Sequence, residues 1–139
     1  MYHFHYHRPG TLDEAVALYQ SAEDGIYLAG GQTLIPTMKQ RLAAPSDVID
    51  LVGIDGLGGV EITPERVRVG AMTHHDEVAR HAGIRATLPV LALLAGEIGD
   101  GQVRNRGTMG GSVANSDPAA DYPAAVIGLG ATIHTSARQ

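Results

Sequence analysis

The sequence predicts a mixed α+β chain built as two small lobes, and three observations carry that reading. Short apolar strands alternate with helix-start signals through the first part of the chain. Glycine then crowds into the segment Gly53 to Gly59, which reads as a junction. Beyond it the pattern changes to a period-two hairpin followed mainly by helices. The lobes are expected at residues 1–57 and 58–139.

Each element has its own signal. Tyr2, Phe4 and Tyr6 alternate with His3, His5 and His7, so a strand is expected there with its aromatics on one face. The three histidines read as a polar strand face rather than a metal site, because no acidic or cysteine ligand stands near them in the sequence. Arg8-Pro9-Gly10 breaks that strand, and Thr11-Leu12-Asp13-Glu14 forms a capping box. The helix that follows is expected to bury Leu12, Ala15, Val16 and Tyr19 and to end near Asp24-Gly25. Ile26 to Ala29 reads as a strand running into Gly30-Gly31-Gln32-Thr33, with Pro36 suited to the first turn of a helix. Val48 to Leu51 closes a β-α-β-α-β lobe.

In the second lobe, Val60-Glu61-Ile62 and Val67-Arg68-Val69 flank Thr63-Pro64-Glu65 as a hairpin. A short helix is expected from Thr73 to His81. His74 and His75 stand at its start on different faces, which argues against a shared metal. Pro89 opens a longer helix carrying Leu91, Leu94, Ala95 and Ile98. Residues 107–123, GTMGGSVANSDPAADYP, read as a loop, followed by a short helix from Ala124 to Leu129 and a strand from Ala131 to His134.

Composition excludes several function classes. The formal charge is −5 and no basic run exists, so a nucleic acid or an anionic membrane is not expected as the main partner. No apolar stretch reaches the roughly 18 residues of a membrane span, and the N-terminus does not read as a signal peptide. The chain has no cysteine, hence no thiol nucleophile and no thiolate ligand for zinc or an iron–sulfur cluster. A cytoplasmic location is the expectation. No histidine has the partner that general-base work requires, so no catalytic residue is assigned.

Two glycine pairs remain. Consecutive amides can hold an anion, with help from a helix N-terminus, where the absence of a Cβ lets the backbone approach it. Ala29-Gly30-Gly31-Gln32-Thr33 offers such a segment at a strand-to-helix junction, and Thr108-Met109-Gly110-Gly111-Ser112 offers a second one bounded by hydroxyls. One pair alone is an ordinary turn; two in separate lobes suggest a pyrophosphate clamped between them. Neither matches the dinucleotide fingerprint or a P-loop. Asp121 either accepts from ligand hydroxyls or caps the short helix, and Asp117 reads as the start of a turn before Pro118. Arg104 and Arg106 reach a phosphate or a partner surface, or are simply solvated.

The segments Tyr6-x-Arg8-Pro9 with Thr11-Leu12-x-Glu14-Ala15, Leu28 to Pro36, Gln102 to Ser112 and Asp117 to Asp121 together resemble the FAD-binding medium subunit of the molybdenum hydroxylases, the carbon monoxide dehydrogenase and xanthine dehydrogenase family. That resemblance implies a two-lobed α+β FAD-binding fold of the vanillyl-alcohol-oxidase (PCMH) type, with the second lobe incomplete. It implies that residues 29–33 and 108–112 hold the pyrophosphate, that Asp121 hydrogen-bonds the cofactor, and that Ile98 lies near it. Gln32 stands where covalent flavoproteins of the broader fold carry a linking histidine, so noncovalent FAD is expected. Ser112 stands where many relatives have Asn, and Asp100-Gly101 where a bulkier pair is common. The partners implied are an iron–sulfur small subunit, a molybdenum-cofactor large subunit and an external electron acceptor, the flavin passing electrons between clusters and acceptor. Members of the family are longer, so the chain is expected to be a fragment. A stand-alone flavin oxidoreductase of the same fold and a flavin-free interaction module are the alternative readings.

Overall fold

The computed structural model describes residues 1–136. Three parallel strands, β1 (His5–His7), β2 (Gly25–Leu28) and β3 (Asp47–Asp50), form a sheet in the order β1-β3-β2. Parallel neighbours need crossovers, which α1 (Leu12–Ser21) and α2 (Leu34–Lys39) supply. β3 takes the central position, and its Val48 and Ile49 are buried, as a strand paired on both edges requires. Ala15 of α1 packs with Ile49 and Ile54, so the smallest side chain of the helix face permits the closest approach to the sheet.

The first helix starts where its capping signal stands. Thr11 Oγ1 accepts from the Glu14 amide at 3.2 Å, while Glu14 Oε2 reaches back to the Gly10 amide at 2.8 Å. Its buried face is narrower than expected: Leu12 and Tyr19 stay exposed, and Tyr19 stacks on Tyr27 of β2 instead of entering the core. The N-terminal strand is also shorter than the alternation suggested. Tyr2 and Tyr6 are exposed, and Tyr6 is held by its hydroxyl, which donates to Asp50. Strand pairing sets Asp47 opposite His5, and His7 reaches it diagonally, its Nε2 2.7 Å from Asp47 Oδ1, so an acidic neighbour absent from the local sequence is supplied by the fold. Among the described residues no group of three potential ligands is assembled.

The second part opens with the antiparallel hairpin β4 (Val60–Ile62) and β5 (Val67–Val69). Val60, Ile62, Val67 and Val69 turn one face onto a helical core, leaving Glu61 and Arg68 paired on the other. That core is built by α3 (His75–Arg80), α4 (Ala82–Thr87), α5 (Pro89–Glu97) and α8 (Asp121–Gly128), with Val78, Ile84, Leu91, Ala92, Ala95 and Tyr122 inside it. Between α5 and α8 lie α6 (Gly101–Arg104) and α7 (Met109–Asn115). The sequence did not suggest α4 or α6, which last 6 and 4 residues. Each depends on a single side-chain cap: His81 Nδ1 accepts from Ile84, and Asp100 Oδ1 from Gln102 and Val103.

Three further expectations are corrected. Residues 109–115 are a helix rather than a loop, and α8 begins at Asp121, three residues earlier than the periodicity placed it. No strand forms at 131–134, because no neighbouring strand among the described residues offers it a ladder. The last residues of the expected second lobe, 137–139, lie outside the described residues. No helix among the described residues is long and apolar enough to cross a membrane.

Candidate functional site

Residues 29–33 leave β2 at the carboxyl end of the parallel sheet, where open sheets of this kind bind ligands. Gly31 has φ +72°, a left-handed conformation that a side chain disfavours, and it turns the chain from strand to helix. α2 then follows, with Ile35 N donating to Gly31 O at 3.0 Å and Thr37 Oγ1 to Thr33 O at 2.7 Å. Among the described residues, the amides of Gly30, Gly31, Gln32 and Thr33 have no acceptor in the protein. Gln32 and Thr33 are exposed. This is a run of free donors at the positive end of a helix.

Gly30 meets a different demand. A Cβ added there would lie 2.7 Å from Gly107 Cα and 2.8 Å from the Arg106 carbonyl carbon, and closer still to the Arg106 oxygen. Its missing side chain therefore serves the contact between the two glycine segments. Ala29 takes part in the same contact, since a Cβ at Gly111 would sit 3.4 Å from Ala29 Cβ. The fold thus brings 29–31 and 106–111 together.

The second segment differs from the expected cradle. Thr108 is buried and caps α7, its Oγ1 accepting from Gly111 N at 3.2 Å. Met109 N donates to Thr73 O, Gly110 N to Ala71 O and Ser112 N to Thr108 O, at 3.0, 2.8 and 3.0 Å. All four amides from Met109 to Ser112 are therefore engaged inside the protein. Neither Gly110 nor Gly111 has a positive φ. Gly110 is dictated by Ala71, whose Cβ, Cα and carbonyl oxygen would lie 2.5–2.7 Å from an added Cβ. What this segment can offer a ligand is a close wall and the half-buried Ser112 hydroxyl, which has no acceptor or donor among the described residues.

The remaining candidates are placed as follows. Asp121 is the first residue of α8 and exposed; Ala120 occupies the cap position, so the carboxylate is not spent on capping. Asp117 makes the turn its position suggested, Oδ1 accepting from Ala119 N at 2.8 Å. Ile98 ends α5, half-buried against the helical core. No hydrogen bond joins Ile98 or Asp121 to either glycine segment among the described residues. Arg104 is half-buried, and its Nη1 donates to the carbonyls of Ile98 and Gly99 at 3.1 and 2.8 Å, closing the C-terminus of α5.

Behind the two segments runs a spine, residues 71–75, in which the sequence marks Thr73 only as a helix start and His74 and His75 only as a pair unsuited to a shared metal. Met72 N donates to Leu57 O and Thr73 Oγ1 to Gly59 O, at 2.7 and 2.9 Å, tying it to the junction. His75 N donates to Gly107 O at 3.1 Å, and His74 Nδ1 lies 3.1 Å from Arg106 O. A carbonyl only accepts, so Nδ1 carries the hydrogen. His75 is buried, its Nδ1 has no partner, and burial, reinforced by His74 and opposed by Asp121, holds its pKa below the ordinary histidine value. Tyr122, whose hydroxyl is likewise buried and unpartnered, stands against it with ring centroids 5.3 Å apart; burial pushes the phenol up. A signal existed in the sequence: polar Thr73 and His75 occupy positions that lead directly into an apolar helix face.

Residues 2–139 match the family described as the FAD binding domain in molybdopterin dehydrogenase. The chain is 43% identical over 127 residues to the carbon monoxide dehydrogenase medium chain of Hydrogenophaga pseudoflava, covering 91% of this chain and 44% of that one. It is 39% identical over 124 residues to the nicotine 6-hydroxylase medium subunit of Paenarthrobacter nicotinovorans, covering 89% of this chain and 44% of the relative. Among solved structures, carbon monoxide dehydrogenase from Hydrogenophaga pseudoflava superposes with a TM-score of 0.86 at 45% identity, over 89% of this chain and 44% of that chain. Quinoline 2-oxidoreductase from Pseudomonas putida superposes with a TM-score of 0.83 at 32% identity, over 87% and 42%. The chain therefore spans less than half the length of these relatives.

Proposed function

The chain belongs to the FAD-binding domain family of the molybdopterin dehydrogenases, and from that premise we propose that it is the diphosphate-binding part of a medium subunit that holds FAD noncovalently. The observation that carries the reading is the run of unpaired amides from Gly30 to Thr33 at the start of α2. Four donors with no protein acceptor fit the oxygens of a diphosphate, and the left-handed turn at Gly31, where an added Cβ would meet Ile35 at 2.6 Å, is one that glycine alone makes without strain. Gly107 to Ser112 serves as the opposing wall, with Ala29, Thr108, Met109, Gly110 and Gly111 setting its distance and Ser112 offering a hydroxyl. Gln32 and Thr33 add exposed polar side chains at the rim. Asp121, uncommitted to capping, accepts from hydroxyls of the cofactor, and Ile98 lines its apolar side.

Bound FAD would supply electron transfer between iron–sulfur clusters on a small subunit and an external acceptor, the electrons having left a substrate at a molybdenum cofactor on a large subunit. The residues of this chain bind and orient the cofactor; none of them is assigned a proton transfer. The division into lobes at 57/58 belongs to the same proposal, because the two glycine segments then come from opposite sides of the Gly53–Gly59 junction.

Titration of the purified chain with FAD, followed by flavin fluorescence and with ADP and riboflavin as competitors, tests this. Saturable binding is expected, which ADP displaces and riboflavin displaces poorly, since the diphosphate supplies most contacts. A chain whose fluorescence signal stays flat with FAD, or on which riboflavin competes as well as ADP, contradicts it.

A further inference from the structure

The Arg106 carbonyl is the point where the two glycine segments meet, because the missing side chain of Gly30 is what lets it approach. On its other side the same oxygen receives the His74 Nδ1 hydrogen at 3.1 Å. The next carbonyl, that of Gly107, is held by the His75 amide at 3.1 Å, and an antiparallel bridge joins His74 to Thr108. One peptide is thus gripped from α3 and pressed against the loop that carries the free amides. The imidazole of His75 also leaves no room beyond Gly107, since a Cβ there would meet its Nε2 at 2.5 Å.

We propose that His74 is a positioning residue for the diphosphate site: its Nδ1 hydrogen orients the Arg106–Gly107 peptide, and that peptide sets the seat of Gly30 and the direction of the Gly30–Thr33 amides. His74 touches no part of the ligand. Its effect passes through backbone atoms alone, so a side chain that donates from the same place substitutes for it, and an apolar one of similar size does not. The inference rests on the reading of Gly30–Thr33 as a diphosphate site, but its first consequence is structural and needs no ligand.

The test compares His74→Leu with His74→Asn, whose amide nitrogen can occupy the Nδ1 position. Nitrogen–proton correlation spectra without flavin read the seat of the loop through the Gly30 and Gly31 cross-peaks. FAD titration reads the site. Losing one hydrogen bond is expected to weaken FAD about five- to tenfold in His74→Leu, with both cross-peaks displaced. His74→Asn should return affinity and cross-peaks to the wild-type values. If His74→Leu unfolds, His74→Asn decides alone, because wild-type affinity there is required. Equal losses in both variants, or wild-type behaviour in both, overturns the proposal. Should the wild-type chain bind no FAD, the diphosphate reading fails, while the cross-peaks still decide whether His74 seats Gly30.

Discussion

Replacing Gly30 with alanine perturbs the contact between the two glycine segments at one atom. Its φ is not in the left-handed region, so alanine carries no backbone strain there. The cost comes from contact: the new Cβ would lie 2.7 Å from Gly107 Cα and 2.8 Å from the Arg106 carbonyl carbon. Both are backbone atoms, and the peptide between them is gripped from behind by His74 and His75, so neither can turn aside as a side-chain tip would. Overpacking of this kind costs about 1–3 kcal/mol, offset by about 0.4–1 kcal/mol from the stiffer unfolded chain. A net loss of about 1–2 kcal/mol lowers Tm by roughly 3–7 °C for a chain of this size. Separation of the segments also moves the free amides away from the wall, and the loss of one charge-assisted hydrogen bond weakens FAD by about tenfold or more. Thermal unfolding by circular dichroism and flavin titration measure the two effects. Gly101→Ala is the control, since nothing lies within 4 Å of its added Cβ and its φ is ordinary. If Gly30→Ala proves as harmless as Gly101→Ala in both assays, the contact reasoning is wrong.

Three further outcomes follow from the same geometry. Thr108→Val removes the oxygen that accepts from Gly111 N, and urea unfolding should show a loss of about 1 kcal/mol, the usual worth of an N-cap; no change would mean that α7 does not depend on its cap. Tyr122→Phe deletes a buried hydroxyl that has no partner, so stability should hold or rise by up to about 1 kcal/mol, and a clear fall in Tm would reveal a bridging water. The pH dependence of stability carries the signature of His75, whose folded pKa is depressed by burial. Above about pH 6.5 both states are neutral and the full stability is present; as pH falls through that value the unfolded chain takes the proton first, so stability drops until the folded pKa is reached. Tm scans from pH 8 to 5 should show this limb, and His75→Gln should flatten it; an unaltered limb in the variant would assign the effect to other groups.

The first half of the fold was legible because its signals are local. A capping box, a proline at a helix start and a glycine pair after an apolar run each act within a few residues, and the parallel sheet with its two crossovers follows from them. The second half depends on partners distant in the chain. Gly110-Gly111 looks like a turn in isolation, yet Thr108 caps the segment and Ala71 packs against Gly110, which makes it a helix with its amides already engaged. Ala131 to His134 has a strand composition but no strand beside it among the described residues. Two glycine segments of similar composition were legible; which of them keeps free donors was not, since that is decided by the carbonyls of Ala71 and Thr73 and by Thr108. The sequence places His74 at a helix start but does not show its partner, because that carbonyl stands 32 residues away.

The central claim is that the Gly30–Thr33 amides, and not those of Met109–Ser112, receive the diphosphate. A nitrogen–proton correlation titration of the chain with FAD reads each amide directly. Gly30, Gly31, Gln32 and Thr33 should show the largest displacements, with Met109 to Ser112 moving little because their hydrogens stay bonded inside the protein. Largest displacements at Met109–Ser112, with residues 30–33 unmoved at saturation, would contradict it.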